Sequence, residues 1–426
     1  MSIYYLLFGA ILGSAFNIFE GIEMSSASTV LALIGLIGLN QLPKTYKGFY
    51  LFGIAFHTVS LFWVGQSLNF AKYTIGVDLS FFVPFVSFAI SLILALQFPI
   101  ALRVGGRKYW IIPFMLLDLV RSFSSLLFPW NFIGYTATLW LSSLRFVGVI
   151  GMSAYTLLLS QIKDFPKKIQ FGFLGLSCVL IVDHYFYQRI EFQRSPYTVK
   201  IVQTNFSRDT KILEDHTDEI MELSLKGDRV AFIVWPESSV LNCLYSYPEL
   251  RGKISQIIPE GTQLLLGHLR IETGLHVCVS ALDHIGDIVS TYDKQYLVPF
   301  GEYTPLSWIP RLSHGTRSCE PGIFKNVLNT IPKAAPLICY ETAFPYLLKS
   351  YRDAKWIVAV SNDAWFGISN GPYQHFHLAR CRAIEEKKPF VRSVNAGVSG
   401  LIAPNGRVLA HIPFRETGVV DTFLVF

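Results

Sequence analysis

Three short words in the second half of the chain hold residues that together could supply a nucleophile, a base and a fixed cation. An apolar run, Ala335-Pro-Leu-Ile338, reads as a buried strand that delivers Cys339 and Glu341 to a turn. A thiol is nucleophilic only as the thiolate, so Cys339 needs a group to take its proton and a positive charge close by. Two upstream strand ends carry such groups. Val230-Ala-Phe-Ile-Val234 runs into Trp235-Pro-Glu237, where the proline stops the strand and leaves Glu237 at its tip. Ile288-Val-Ser-Thr-Tyr292 reads as a strand ending near Lys294. Each residue also has a plain alternative: a buried cysteine is a small hydrophobe, Glu237 a strand-end carboxylate, Lys294 a solvated charge.

A Glu, a Lys and a Cys, each just past a different strand, resemble the trio of the nitrilase superfamily, whose members cleave or form amides through a Cys thioester. The longer words Tyr292-Asp-Lys-Gln-Tyr-Leu-Val-Pro-Phe-Gly-Glu-Tyr303, Cys339-Tyr-Glu341 and Ser361-Asn-Asp-Ala-Trp-Phe-Gly367 are similar to signature stretches of the apolipoprotein N-acyltransferase family. So are Gln374-His375 running on to Ala379-Arg380-Cys-Arg-Ala-Ile-Glu385, and Arg392-Ser-Val-Asn395.

The resemblance implies an N-acyltransferase working by ping-pong chemistry. A phospholipid would donate a fatty acyl chain to Cys339, and the α-amine of a diacylglyceryl-modified apolipoprotein would accept it. Glu237 would be the general base and Lys294 the oxyanion partner. Glu302 would hold the orientation and charge of Lys294, or else cap a turn. Glu341 would position the incoming amine or the lysine. Trp235, Tyr340, Trp365 and Phe366 are candidate walls of an acyl pocket, although aromatics at this density serve a core equally well. The apolar, proline-rich loop Tyr303-Thr-Pro-Leu-Ser-Trp-Ile-Pro310, with Trp308, would touch the outer leaflet and admit lipid, or pack as a surface loop. A membrane-tethered amidase or hydrolase with water as acceptor, and a non-catalytic binding protein, are the competing functions.

The elements that must position these groups fall into two halves. Of the 426 residues 51% are hydrophobic and only 15% charged, and the mean hydropathy is +0.40. Charge is sparse before about residue 190 and ordinary after it, which reads as a membrane half followed by a soluble half. About seven apolar segments, near 3–19, 25–42, 48–68, 79–102, 109–125, 141–162 and 169–188, read as transmembrane helices of a domain spanning 1–190. Lys44 and Lys47, then Arg103, Arg107 and Lys108, then Lys163, Lys167 and Lys168 occupy alternate breaks. This positive-inside pattern puts the first residues in the cytoplasm and residues from 190 onward outside it. In the family's terms that is a bacterial inner membrane with a periplasmic catalytic domain over 197–426. The first residues carry no basic stretch and no small-residue cleavage site, so they read as a first span rather than a removable leader. Family members commonly carry a last span, for which Val419–Phe426 is too short.

Asp118 and Arg121, one helical turn apart inside the fifth segment, either line a functional cavity or anchor the helix as an interfacial pair. Asp183 and His184 read as interfacial. The second half alternates short strands with helices, which fits the α/β/β/α four-layer sandwich that the resemblance implies. The net charge of +6 gathers in short loops and speaks for topology rather than nucleic-acid binding. None of the six cysteines forms a C-x-x-C pair; a Cys243–Cys319 disulfide is open if this half is exported, against free buried thiols. His375 and His377, two apart, diverge on a helix, so neither metal nor cofactor is expected.

Overall fold

In the computed structural model the described residues are 1–70, 76–206, 216–240, 244–272, 274–305, 318–323 and 326–426. They form two compact units. The first comprises Met1–Leu68, Leu79–Ile190 and Ile368–Glu385, and the second Asn69–Asp78, Glu191–Gly367 and Glu386–Phe426. In this division the segment around Gln374 and Arg380 groups with the helical unit.

The helical unit contains α1 (Ser2–Ser14), α2 (Ala27–Gln41), α3 (Tyr46–Ser60), α4 (Val83–Ala95), α5 (Gln97–Tyr109), α6 (Ile111–Arg121), α7 (Leu144–Ser160) and α8 (Lys167–Tyr187). Among the described residues three helical stretches are long and apolar enough to cross a membrane: Ser80–Tyr109, Thr138–Ser160 and Lys167–Tyr187. Tyr46–Ser60 and Phe62–Asn69, bent by 50°, would together make a fourth. The remaining expected spans are shorter. The 109–125 segment yields only the 11 residues of α6, about 16 Å of helix against a hydrocarbon core of about 30 Å. Apolar content marked these segments, but it does not measure how far the helix runs.

Beyond α6 the backbone is irregular, and at membrane depth such backbone is tolerated only where protein or water satisfies its polar groups. Arg121 does much of this. Its guanidinium pairs with Asp118 at 3.0 Å and donates to the carbonyls of Leu127 (3.2 Å) and Phe128 (3.0 Å) and to Asn131 Oδ1 (3.0 Å). Gln97 donates to Asp118 Oδ1 at 2.7 Å. Both side chains are buried, and the pair staples the chain turn.

The second unit holds two sheets. Its strands are β1 (Arg194–Gln203), β2 (Phe232–Val234), β3 (Gln263–Ile271), β4 (Leu275–Leu282), β5 (Ile288–Asp293), β6 (Ala334–Ile338), β7 (Trp356–Asn362), β8 (Phe390–Asn395), β9 (Ser399–Ile402), β10 (Val408–Ile412) and β11 (Gly418–Val425). The six-stranded sheet runs β11-β1-β2-β3-β4-β5 and the five-stranded sheet β10-β9-β8-β7-β6. β1, β2 and β3 are parallel neighbours, as are β6, β7 and β8. Strands buried on both faces read as continuous apolar runs, which is why the sequence marks them. β10 and the helix α10 (Pro248–Ser255) carry mixed residues and escaped that reading. The sheets pack face to face, with the rings of Phe232 on β2 and Trp356 on β7 5.1 Å apart. Outside the six-stranded sheet, Ile220 of α9 (Thr217–Ser224) and Ile254 of α10 close a core with Val202, Ile233, Leu264 and Leu282. The parallel pair β7–β8 requires a crossover, which α11 (Gly371–Glu386) provides.

Candidate active site

Parallel packing sends the carboxyl ends of β2 and β6 to the same edge of the sandwich, and the turn after β5 reaches it too. Beyond β2, Pro236 and Glu237 lie against β3 at Gly267, where a Cβ would come within 2.6 Å of Glu237 Cα and 2.7 Å of Pro236 O; only glycine allows that approach. The turn is pinned by Gly267 N–H donating to Pro236 O (3.2 Å) and Val240 N–H to Gly267 O (3.3 Å). Lys294 follows β5, its N–H donating to Val277 O at 2.9 Å. Cys339 follows β6 with φ at +49°, the left-handed region that a non-glycine residue enters at a cost of about 1–3 kcal/mol and that recurs at functional turns.

The three expected residues meet. Lys294 Nζ lies 3.3 Å from Glu237 Oε1 and 2.7 Å from Glu302 Oε1. Glu237 Oε2 accepts from Asn362 N–H at 2.9 Å, and Glu302 Oε2 from Val298 N–H at 2.8 Å. The Cys339 sulfur feels both Glu237 and Lys294 and is hydrogen-bonded to Ser361. All four charged or nucleophilic side chains are buried, and burial sets their protonation. It opposes the charge on Lys294, but Glu237 and Glu302 outweigh it and hold the ammonium well above the ordinary lysine value. Burial raises Glu237, with Lys294 pulling the other way. Burial, with the Glu237 charge behind it, pushes Cys339 up to about 12. At rest the site therefore holds a neutral thiol beside a cationic lysine, and a thiolate can form only as its proton leaves. Glu302 does what both of its readings describe: Oε1 holds the Lys294 ammonium and Oε2 caps the turn at the Val298 N–H.

Glu341 is a clamp. Its Oε1 accepts from Tyr292 Oη (2.8 Å), Gln295 N–H (2.7 Å) and Tyr296 N–H (3.3 Å), and its Oε2 from Ile338 N–H (2.8 Å). One carboxylate thus ties the Lys294 loop to the Cys339 turn. Burial pushes it up to about 7 against the pull of those donors. In Glu341→Gln the amide nitrogen must face a donor on one side or the other. The expected outcome is a stability loss of about 2–4 kcal/mol and a roughly 10²-fold lower rate of acyl-enzyme formation, read by thermal unfolding in detergent and by acyl labelling.

The expected acyl walls divide. Trp235 sits in the core with Val202, Ile220 and Leu264, its indole N–H donating to Ser224 Oγ at 2.8 Å, so it is not a pocket wall; the position before Pro236 points to the helix side of the sheet. Trp235→Phe is expected to cost about 1–2 kcal/mol of stability while acyl-chain preference stays unchanged. Tyr340 is buried and meets Phe344 edge-on at 5.1 Å, and Phe344 stacks on Tyr296 at 3.9 Å. Trp365 and Phe366 are half-buried in the turn after β7. Trp308 with the part of its loop beyond Pro305, and Cys243, lie outside the described residues. Among the described residues Cys178, Cys278 and Cys381 form no disulfide.

Ser361, Asp363 and Arg392 form a buried chain of contacts behind Cys339, and no sequence rule assigned it a task; the words that contain it were visible, their contacts were not. Gln374, in another such word, has its amide filled within the helical unit. Trp63 and Trp130 donate to its oxygen at 3.0 and 2.9 Å, and its nitrogen donates to Asn17 Oδ1 and Ser60 O, each at 3.1 Å. His375 lies against the Trp130 ring at 5.1 Å.

Residues 199–423 match the family model described as carbon-nitrogen hydrolase, and residues 8–162 match that of the apolipoprotein N-acyltransferase N-terminal domain. The apolipoprotein N-acyltransferase of Rhizobium rhizogenes is 30% identical over 437 residues, covering 91% of this chain and 81% of that protein. That of Brucella suis is 30% identical over 433 residues, covering 90% and 80%. Among solved structures, an amidase from Nesterenkonia sp. aligns with 16% identity over 55% of this chain and 92% of its own, at a TM-score of 0.42. With both family models in order along it and relatives matched over most of their length, this chain, a helical region followed by a nitrilase-type domain, belongs to the apolipoprotein N-acyltransferase family.

Proposed function

We propose that this chain transfers a fatty acyl chain from a membrane phospholipid, through a thioester on Cys339, to the α-amine of the diacylglyceryl-cysteine that begins an apolipoprotein. The observation that carries the proposal is the meeting of Glu237, Lys294 and Cys339 in one buried cluster. Cys339 attacks the ester carbonyl of the lipid as Glu237 takes the thiol proton. Lys294, held cationic by two carboxylates, faces the negative charge that develops on the carbonyl oxygen, with a backbone N–H beside Cys339 as its partner. Collapse breaks the ester C–O bond, Glu237 returns the proton to the departing lyso-lipid, and the thioester remains. In the second half the amine attacks, Glu237 takes its proton, and the thiolate leaves and is reprotonated. An amide is more stable than a thioester, so the transfer runs downhill.

The apolar helices supply a reason for lipid as donor. The positive-inside pattern of the loops supports an inner-membrane protein with the nitrilase-type domain on the periplasmic side. On this reading residues 1–190 form the membrane domain and 197–426 the catalytic one. Glu302 and Glu341 support the lysine and the turn, while Tyr340, Trp365 and Phe366 are the candidate aromatics for an acyl site.

The test uses the purified full chain in lipid containing phospholipid with a tagged acyl chain. Hydroxylamine-sensitive label on the protein, absent in Cys339→Ala and chased onto a diacylglyceryl-cysteine peptide, is the expected result. Label that leaves only to water would make the protein a hydrolase, and no label on a folded protein would make it a binder; either overturns the proposal.

A further inference from the structure

Where β1, β7 and β8 end beside the candidate base, one side-chain amide joins the two sheets. Asn362 and Asn395 are the last partners of the parallel β7–β8 ladder, and Thr204, just past β1, forms a bridge with Asn395. Asn395 is 7% exposed and fills every hydrogen-bonding place of its side chain. Its Oδ1 accepts from Thr204 Oγ1 and from Phe206 N–H, each at 2.9 Å, and its Nδ2 donates to Phe206 O at 3.3 Å and to Asn362 Oδ1 at 3.0 Å. A backbone N–H only donates and a carbonyl only accepts, so Phe206 fixes which end of the amide faces Asn362. Asn362 Oδ1 also accepts from Ala364 N–H at 3.3 Å, and the Asn362 backbone N–H donates to Glu237 Oε2 at 2.9 Å. The acyl-transfer steps give Asn395 and Thr204 no part.

A carboxylate that must collect a proton from sulfur and hand it on works only within a narrow range of positions. Among the described residues the Asn362 N–H is the one backbone group that donates to Glu237. We propose that Asn395, steadied by Thr204, is a positioning residue for the base: by gripping the Asn362 side chain it keeps the Asn362 N–H on Oε2 and so holds the carboxylate in one orientation beside Cys339. Neither Asn395 nor Thr204 touches substrate. The same grip steadies Asn362 as the cap of the turn Asp363–Phe366, so the base and the aromatic pair Trp365 and Phe366 share one support. An N–H donated to a carboxylate favours its charged form, so loosening the grip also moves the ionisation of Glu237 upward. The other groups that face this carboxylate are Lys294, which favours its charge, Glu302, which with burial opposes it, and the Cys339 thiol.

This role rests on Glu237 being the base, but an infrared titration of its carboxyl reads the group whether or not acyl transfer occurs, so the two fail separately. The full chain in detergent is titrated, and the protonated-carboxyl band of Glu237 is identified in each protein by its loss when Glu237→Gln is added. In Asn395→Ala the midpoint of that band is expected to rise by about half to one pH unit, the size of a weakened hydrogen bond to a charged group, and acyl labelling at neutral pH to fall roughly tenfold. Thr204→Val, which keeps the shape and removes the hydroxyl, should move the midpoint the same way by a smaller step, and Thr204→Ser should restore it. A residue that only fastened strand ends would lower the unfolding temperature when replaced and leave the midpoint in place. A midpoint that is unchanged or lower in folded Asn395→Ala therefore overturns the proposal, and if that variant does not fold, an unchanged or lower midpoint in Thr204→Val does so.

Discussion

Glu237→Gln is expected to slow acyl-enzyme formation by about 10²–10⁴-fold, the range that a positioned general base supplies. The substitution keeps the shape of the side chain and leaves one oxygen for the Asn362 N–H, but it turns the amide nitrogen toward the Lys294 ammonium, so the loss combines proton transfer with a weaker hold on the lysine. The wild-type protein should show an acidic limb in the rate of labelling from tagged phospholipid. Because burial raises Glu237, that limb is expected above the ordinary carboxylate range, with the rate rising as the pH rises through it, and Glu237→Gln should flatten it. For stability the sign is opposite. A carboxyl whose pKa is raised on folding binds its proton more tightly in the native state, so its contribution is fully present below the unfolded value and is lost as pH rises through the folded one. A labelling rate within about threefold of wild type in Glu237→Gln, far short of the loss a general base implies, would show that another group takes the thiol proton.

Lys294→Met is expected to cost both activity and the integrity of the site. The Lys294 ammonium sits between Glu237 and Glu302, at 3.3 and 2.7 Å. Without it two buried carboxylates face each other, and breaking a buried pair from one side costs about 3–5 kcal/mol. Thermal unfolding in detergent should show this loss at neutral pH, and it should shrink as the pH is lowered and the carboxyls protonate. In the wild-type protein the folded pKa of the lysine is raised, so its contribution is complete below the ordinary lysine value and is lost only at alkaline pH. The double variant Lys294→Met with Glu302→Gln should recover part of the stability and none of the labelling. Labelling that survives Lys294→Met would remove the lysine from the oxyanion role.

Much of the catalytic half was legible because its strands are buried on both faces and therefore appear as short apolar runs, with Glu237, Lys294 and Cys339 written just past three of them. The site's chemistry followed from residue type and from that repeated position. What the sequence determined, then, was which groups stand at strand ends and that the first half is too apolar to be an ordinary soluble domain. Period and composition are local properties, and they survive without knowledge of the fold. Tertiary structure alone decided the rest. Whether Trp235 faces lipid or core depends on which side of a sheet it falls, and the bond to Ser224 settles it for the core. That Glu341 joins the lysine loop to the cysteine turn depends on donors 46 and 49 residues away. Asp363 and Arg392 are 29 residues apart and meet only because β7 and β8 lie side by side in register. Burial, which raises Cys339 and Glu237, is likewise a property of the packed whole, since the desolvation a group feels is set by every neighbour that excludes water from it.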